Sequence, residues 1–144
     1  MKLLVLDNYD SFTYNLVHMF RSMNIDHEVY RNDKINPEEA LSFDLIILSP
    51  GPGIPSEAGN MAKIIAACAG KKPILGICLG HQAIAEYLGA KLNNMSSVYH
   101  GVKNKINILF NQEIFKGIPE KIEVGRYHSW EVVREGLPEN ISVT

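Results

Sequence analysis

Three short apolar runs, Leu3-Leu4-Val5-Leu6, Leu45-Ile46-Ile47-Leu48 and Ile74-Leu75-Gly76-Ile77, constrain this chain more than any other feature. Each has the length of a β-strand and is nearly continuous in apolar character instead of alternating with polar residues. A strand reads this way when both of its faces are covered, the condition of a parallel sheet between two layers of helix. Parallel strands need long crossovers, and the intervening segments supply them. Phe12, Leu16, Phe20 and Met23 recur at helical spacing, with Asp10 or Ser11 available as N-cap. Asn36-Pro37-Glu38-Glu39 reads as a cap followed by an N1 proline, and Ala58 to Ala69 reads as a helix ending at Gly70. His27 to Arg31 adds a weaker strand, and a helix from about Gly80 to Leu88 is stopped by Gly89. The order β-α-β-α-β-α-β-α predicts a doubly wound, mostly parallel α/β sheet.

Beyond Gly89 the pattern changes. Val102, Ile106, Ile108 and Phe110 alternate with Lys103, Lys105 and Asn107 over much of their length, which predicts half-exposed strands. Gly117-Ile118-Pro119 and Glu135-Gly136-Leu137-Pro138 mark turns, and Ile141-Ser142-Val143-Thr144 reads as the middle of a strand. At 144 residues, 46% hydrophobic and 21% charged, with no repeat or linker-like stretch, residues 1–144 are expected to form a single domain. The 14 Lys and Arg are scattered and balanced by 16 Asp and Glu, which argues against a nucleic-acid or acidic-membrane surface. The apolar start ends at Asp7, too short for a signal peptide or a membrane span, so a cytoplasmic location is expected. Cys68 and Cys78 lie in such different contexts that a disulfide between them is not the natural reading. Cys68, in Ile64-Ile65-Ala66-Ala67-Cys68, is expected to face the core.

Sites in a doubly wound sheet form beyond the carboxyl ends of its strands. Three loops qualify: Asp7 to Ser11, Ser49-Pro50-Gly51-Pro52-Gly53, and the segment at Cys78. Gly76-Ile77-Cys78-Leu79-Gly80 places G-x-C-x-G between strand and helix, the pattern of a nucleophile elbow with cysteine in place of serine. The helix N-terminus is expected to lower the thiol pKa. Such an elbow takes one oxyanion donor from the residue after the nucleophile, here Leu79, and a second from a neighbouring loop, for which Ser49 to Gly53 is placed. No Gly-Lys-Ser/Thr follows that loop, so a phosphate-binding reading is disfavoured. Among the five histidines, His18 and His27 read as structural or solvent-facing, and His81 lies on the elbow helix. His100 and His128 fall in the later part, and spacing alone favours His128, in Gly125-Arg126-Tyr127-His128-Ser129-Trp130, as the base.

The segments Asp7-Asn8-Tyr9-Asp10-Ser11-Phe12-Thr13-Tyr14-Asn15-Leu16, Ser49 to Gly53, Gly76 to Gln82 and Gly125 to Ser129 together resemble the class I, triad-type glutamine amidotransferases. The opening segment is similar to that of the glutaminase subunits of anthranilate synthase and aminodeoxychorismate synthase. The resemblance implies a flavodoxin-like sheet, with Cys78 attacking the side-chain amide of glutamine to give ammonia and a glutamyl thioester. Gly51 and Leu79 would form the oxyanion hole, and Gly51, Pro52, Gly53, Gln82, Ser129 and Trp130 would bind substrate. Many relatives have Leu where this chain has Trp130, which matters little if only the backbone is used. Asp10 and Ser11 would stabilise the loop and cap the helix. No cofactor or metal is implied. The partner would be a chorismate-binding synthase large subunit, of tryptophan biosynthesis through anthranilate or, as the alternative, of folate biosynthesis through aminodeoxychorismate. The resemblance also displaces His128 as base, because the family takes its base and orienting acid from a His-x-Glu segment near the C-terminus. No such segment occurs between Ser129 and Thr144. A C-terminally truncated chain, inactive by itself, is therefore expected; a catalytically incomplete docking subunit is the alternative.

Two other readings keep part of this pattern. Cysteine hydrolases of the γ-glutamyl hydrolase or DJ-1-like type share the elbow but give no reason for the opening motif. A phospho-acceptor receiver domain needs a carboxylate at the carboxyl end of the middle strand, where this chain has Ser49-Pro50-Gly51, with Asp44 at the opposite end.

Overall fold

The computed structural model describes residues 1–110 and 113–144, in two compact units, Met1–Gly89 and Ala90–Thr144. In the first unit β1 (Leu3–Asp7), α1 (Thr13–Ser22), β2 (His27–Arg31), α2 (Pro37–Ala40), β3 (Leu45–Leu48), α3 (Met61–Cys68), β4 (Ile74–Gly76) and α4 (Leu79–Tyr87) follow one another. The strands form a parallel sheet in the order β2-β1-β3-β4, the doubly wound arrangement that the apolar runs predict.

Burial follows the strand period of two. Leu4, Leu6, Ile46 and Leu48 point to one face, where Ala40 of α2, Met61, Ile64, Ile65 and Cys68 of α3, and Leu79 and Ala83 of α4 cover them. Leu3, Val5 and Ile47 point to the other, under Leu16 and Phe20 of α1. All five β1 residues are buried, which explains the run's continuous apolar character. Leu75 pairs with Ile47, but on β4 that face is open and Leu75 is 42% exposed.

Helix boundaries differ from the sequence reading in local detail. Phe12, not Asp10 or Ser11, occupies the N-cap position of α1, and Asp10 acts one step earlier: its Oδ1 accepts from the Phe12 N–H at 2.7 Å. The buried face of α1 is Thr13, Val17 and Phe20 with half-buried Leu16, while Phe12 and Met23 are exposed. Asp7 sets this phase, its Oδ1 accepting from Thr13 Oγ1 at 3.0 Å and from the Asp10 N–H at 3.3 Å. Helix α3 begins at Met61 instead of Ala58, because Gly59 is in the left-handed region (φ 54°) and interrupts the turn. At α2 the reading holds: Asn36 accepts from the Glu39 N–H at 2.8 Å and Glu39 reciprocates at 3.0 Å, a capping box followed by Pro37. Gly89, at φ 96°, follows the end of α4 as expected.

The second unit is built on a long antiparallel pair, β5 (Leu92–Asn107) with β6 (Lys121–Val132), interrupted by register shifts between Asn94 and Tyr99 and between His100 and Val102. Val102 and Ile106 lie on β5 and are partly exposed, whereas Ile108 and Phe110 fall beyond its end. Residues 141–144 are not a strand; the Ile141 N–H donates to the Pro138 carbonyl in a turn. Apolar alternation makes a strand only where a neighbour completes the ladder. Among the described residues no helix is long and apolar enough to cross a membrane.

Leu4, fully buried between β-sheet and helices, is expected to cost about 2–5 kcal/mol when replaced by Ala. Leu75→Ala, on the open face of β4, should cost less than about 1 kcal/mol. Urea unfolding of the two variants checks this contrast.

Candidate active site

The carboxyl ends of β1, β3 and β4 bring Asn8, the Ser49–Gly53 loop and Cys78 to one end of the sheet. Cys78 joins β4 to α4 at φ 52° and ψ −107°, a conformation that costs a residue with a side chain about 1–3 kcal/mol. The flanking glycines make this turn possible. A Cβ on Gly76 would collide with the backbone of Gly80 and His81, and one on Gly80 would lie 2.5 Å from the carbonyl oxygen of Leu48. Helix α4 therefore starts in direct backbone contact with the strands, and Cys78 is held half-buried at the turn. Cys68, by contrast, is fully buried in α3, as its sequence context indicates.

The oxyanion candidates lie side by side. Gly51 is wedged between Asn8 and Leu79: a Cβ there would meet Leu79 Cδ2 at 2.5 Å and Asn8 Cβ at 2.7 Å. Pro52 and Gly53 continue the loop in exposed positions, Gly53 at φ 72°. Gln82 is buried on α4 one turn after Cys78, its N–H donating to the Cys78 carbonyl at 3.0 Å. Ser129 and Trp130 lie on β6 of the second unit, half-buried.

The thiol does not behave as the helix N-terminus alone suggests. Burial pushes the Cys78 pKa above its ordinary value, the Leu79 N–H hydrogen bond pulls it down, and the Asp10 carboxylate adds a further upward push. The upward influences win, so the group is held as a neutral thiol at neutral pH and needs a base to become a nucleophile.

His128 is engaged elsewhere. Its Nδ1 lies 2.8 Å from the Trp130 carbonyl, which can only accept, so Nδ1 carries the proton and Nε2 accepts from Arg126 Nε at 3.1 Å. Arg126 also stacks over the Tyr99 ring, 3.7 Å from its centroid. Both partners lie on β6 with His128, and with both nitrogens committed it has no free lone pair to take a thiol proton. His18, His81 and His100 are exposed, and His27 Nδ1 bonds the Ile25 carbonyl at 2.7 Å.

A buried polar set behind Gly51 is not singled out by the sequence motifs. Asn8, 2% exposed, donates Nδ2–H to the Ser49 carbonyl at 2.9 Å, and its backbone N–H donates to Ser49 Oγ at 2.9 Å. Asn32 Nδ2 donates to Asn8 Oδ1 at 3.1 Å. The available signal was position: Asn8, Asn32 and Ser49 are each the first residue after β1, β2 and β3.

A doubly wound parallel sheet carrying a strained cysteine at a strand-to-helix elbow, with a glycine loop packed against the following residue, places the protein in the α/β class with Cys78 at the elbow. Comparison with known proteins narrows it. Residues 4–144 match the model of the glutamine amidotransferase class-I family, and the chain belongs to that family. It is 45% identical over 144 residues to anthranilate synthase component 2 of Pseudomonas aeruginosa, covering 99% of this chain and 71% of that protein. With anthranilate synthase component 2 of Helicobacter pylori it is 43% identical over 150 residues, covering 99% of this chain and 75% of that protein. A solved glutamine amidotransferase from Thermotoga maritima, 18% identical, shares the fold with a TM-score of 0.74 over 92% of this chain and 62% of that one.

Iodoacetamide at limiting dose is expected to label Cys78 in preference to Cys68, as peptide mapping would report; equal labelling would contradict the elbow. Because the Cys78 pKa is raised, its labelling rate should keep climbing with pH past the inflection of an ordinary cysteine. Asp10→Asn, which keeps the oxygen that holds the Phe12 N–H but removes the charge, should move the inflection down and speed labelling at neutral pH.

Proposed function

We propose that this protein is the glutaminase subunit of an anthranilate synthase, hydrolysing glutamine at Cys78 and passing ammonia to a chorismate-binding component I in tryptophan biosynthesis. The observation that carries the reading is the Cys78 elbow, with Gly51 packed on Leu79 beside it. The names of the component 2 relatives favour anthranilate over aminodeoxychorismate as the pathway.

In this mechanism Cys78 Sγ, its proton removed by a base, attacks the side-chain amide carbon of glutamine. The carbonyl oxygen becomes an oxyanion, met by the backbone N–H groups of Gly51 and Leu79. Collapse breaks the C–N bond, the leaving nitrogen takes a proton and departs as ammonia, and a γ-glutamyl thioester remains on Cys78. Water adds to the thioester, and glutamate leaves as the thiol is restored. Gln82, Pro52 and Gly53 hold the amino-acid end of the substrate, as the family resemblance implies. The commitment of both His128 nitrogens supports assigning the base to a His-x-Glu segment, as the family resemblance implies, and residues 1–144 contain none.

In the full-length protein paired with its synthase, Cys78→Ala should abolish anthranilate formation from glutamine and leave formation from added ammonium salt near the wild-type rate. Loss of both activities would overturn the division of labour. Residues 1–144 alone should release glutamate from glutamine more slowly than a chain carrying the His-x-Glu segment by at least about 10²-fold, the usual worth of a positioned proton-transfer group. Comparable turnover would mean that a residue within 1–144 is the base.

A further inference from the structure

The buried amide of Asn8 sits where the sheet changes direction. Strands β1 and β3 are neighbours, but the chain leaves β1 toward β2 on one side and returns to β3 on the other, so the crevice between their carboxyl ends is the topological switch point. Asn8 and Ser49 face each other across that crevice. Ser49 O can only accept, which fixes Asn8 Nδ2 toward it at 2.9 Å; Oδ1 is thereby turned to Asn32, whose Nδ2 donates at 3.1 Å. The Asn8 N–H reaches Ser49 Oγ at 2.9 Å, and Ser49 Oγ in turn donates to the Pro50 carbonyl at 2.7 Å. These bonds end one residue short of Gly51, which itself rests on Asn8 Cβ. A shift of the loop would strand buried donors and acceptors on both sides, and each such group is expensive to leave unpaired.

We infer that Asn8 is a positioning residue for the oxyanion loop: its side-chain amide, oriented by Asn32, clamps Ser49 and so sets where the Gly51 N–H stands relative to Cys78. The inference rests on the glutaminase reading with Gly51 as oxyanion donor. Asn8 touches no reacting atom. Its effect is confined to steps that develop charge on the substrate oxygen, and it leaves the thiol itself unchanged.

That distinction gives the test. Glutamine hydrolysis passes through an oxyanion, whereas alkylation of Cys78 by iodoacetamide is a displacement at a saturated carbon and forms none. In the full-length protein, Asn8→Ala removes the donor to Ser49 O and the acceptor for Asn32 without adding a charge near the thiol. It should lower kcat for glutamine by about 10²-fold, the effect of losing one oxyanion donor, with KM and the iodoacetamide rate within about threefold of wild type. Ser49→Ala, a smaller perturbation available if Asn8→Ala does not fold, should lower kcat by about fivefold with the same unchanged alkylation. Either kcat unchanged in a folded variant, or hydrolysis and alkylation falling in equal proportion, would overturn the role. Wild-type protein that alkylates at Cys78 yet releases no glutamate would instead overturn the glutaminase reading, and the inference with it.

Discussion

The contact on which the active end of the first unit depends is between backbones: Gly80 of α4 against Leu48 of β3, and Gly76 of β4 against Gly80. A single methyl group at either glycine would fall inside the van der Waals distance of main-chain atoms that cannot move without breaking the sheet. Because α4 starts so close to the strands, the intervening residues must reverse direction within one turn, and Cys78 takes a strained conformation with positive φ. The strain at Cys78 is therefore a consequence of close packing on both sides of it, and the surrounding β3, β4 and α4 maintain it.

The same closeness sets the electrostatics. A thiol held at a helix start would ordinarily gain from the positive end of the helix. Here partial burial and the Asp10 carboxylate act in the opposite sense and prevail over the Leu79 N–H. A protonated resting thiol reacts more slowly with electrophiles than a thiolate, and it gains nucleophilicity when a base removes its proton.

Much of the first unit was legible because its signals are local and redundant. Leu3 to Leu6 and Leu45 to Leu48 announce doubly covered strands, Asn36-Pro37-Glu38-Glu39 spells a capping box, and G-x-C-x-G spells the elbow. Where the reading slipped, a long-range contact overrode a local preference. Thr13 opens α1 because the Asp7 carboxylate reaches it, which local capping preference at Asp10 and Ser11 does not register. Ile141 to Val143 alternate like a strand, but alternation gives no ladder, and the chain turns there through Pro138. His128 looked like a base by its setting, and only the side-chain geometry along β6, with Arg126 and the Trp130 carbonyl two residues to either side, reveals both nitrogens as already bonded.

The sequence by itself determined the parallel sheet, the place of Cys78 at its elbow and the family to which the chain belongs, because strand composition, glycine placement and motif order are properties of short segments. Tertiary structure alone decided the direction of the thiol pKa shift, the tautomer of His128 and the clamp from Asn32 through Asn8 to Ser49. The clamp and the thiol shift depend on groups far apart in the chain, Asn8 and Ser49 being 41 residues apart, that become neighbours only when parallel strands align. The His128 tautomer rests on partners two residues away on β6, and the side-chain geometry of the folded strand selects them. Burial and hydrogen-bond direction belong to the folded chain, and no local pattern encodes them.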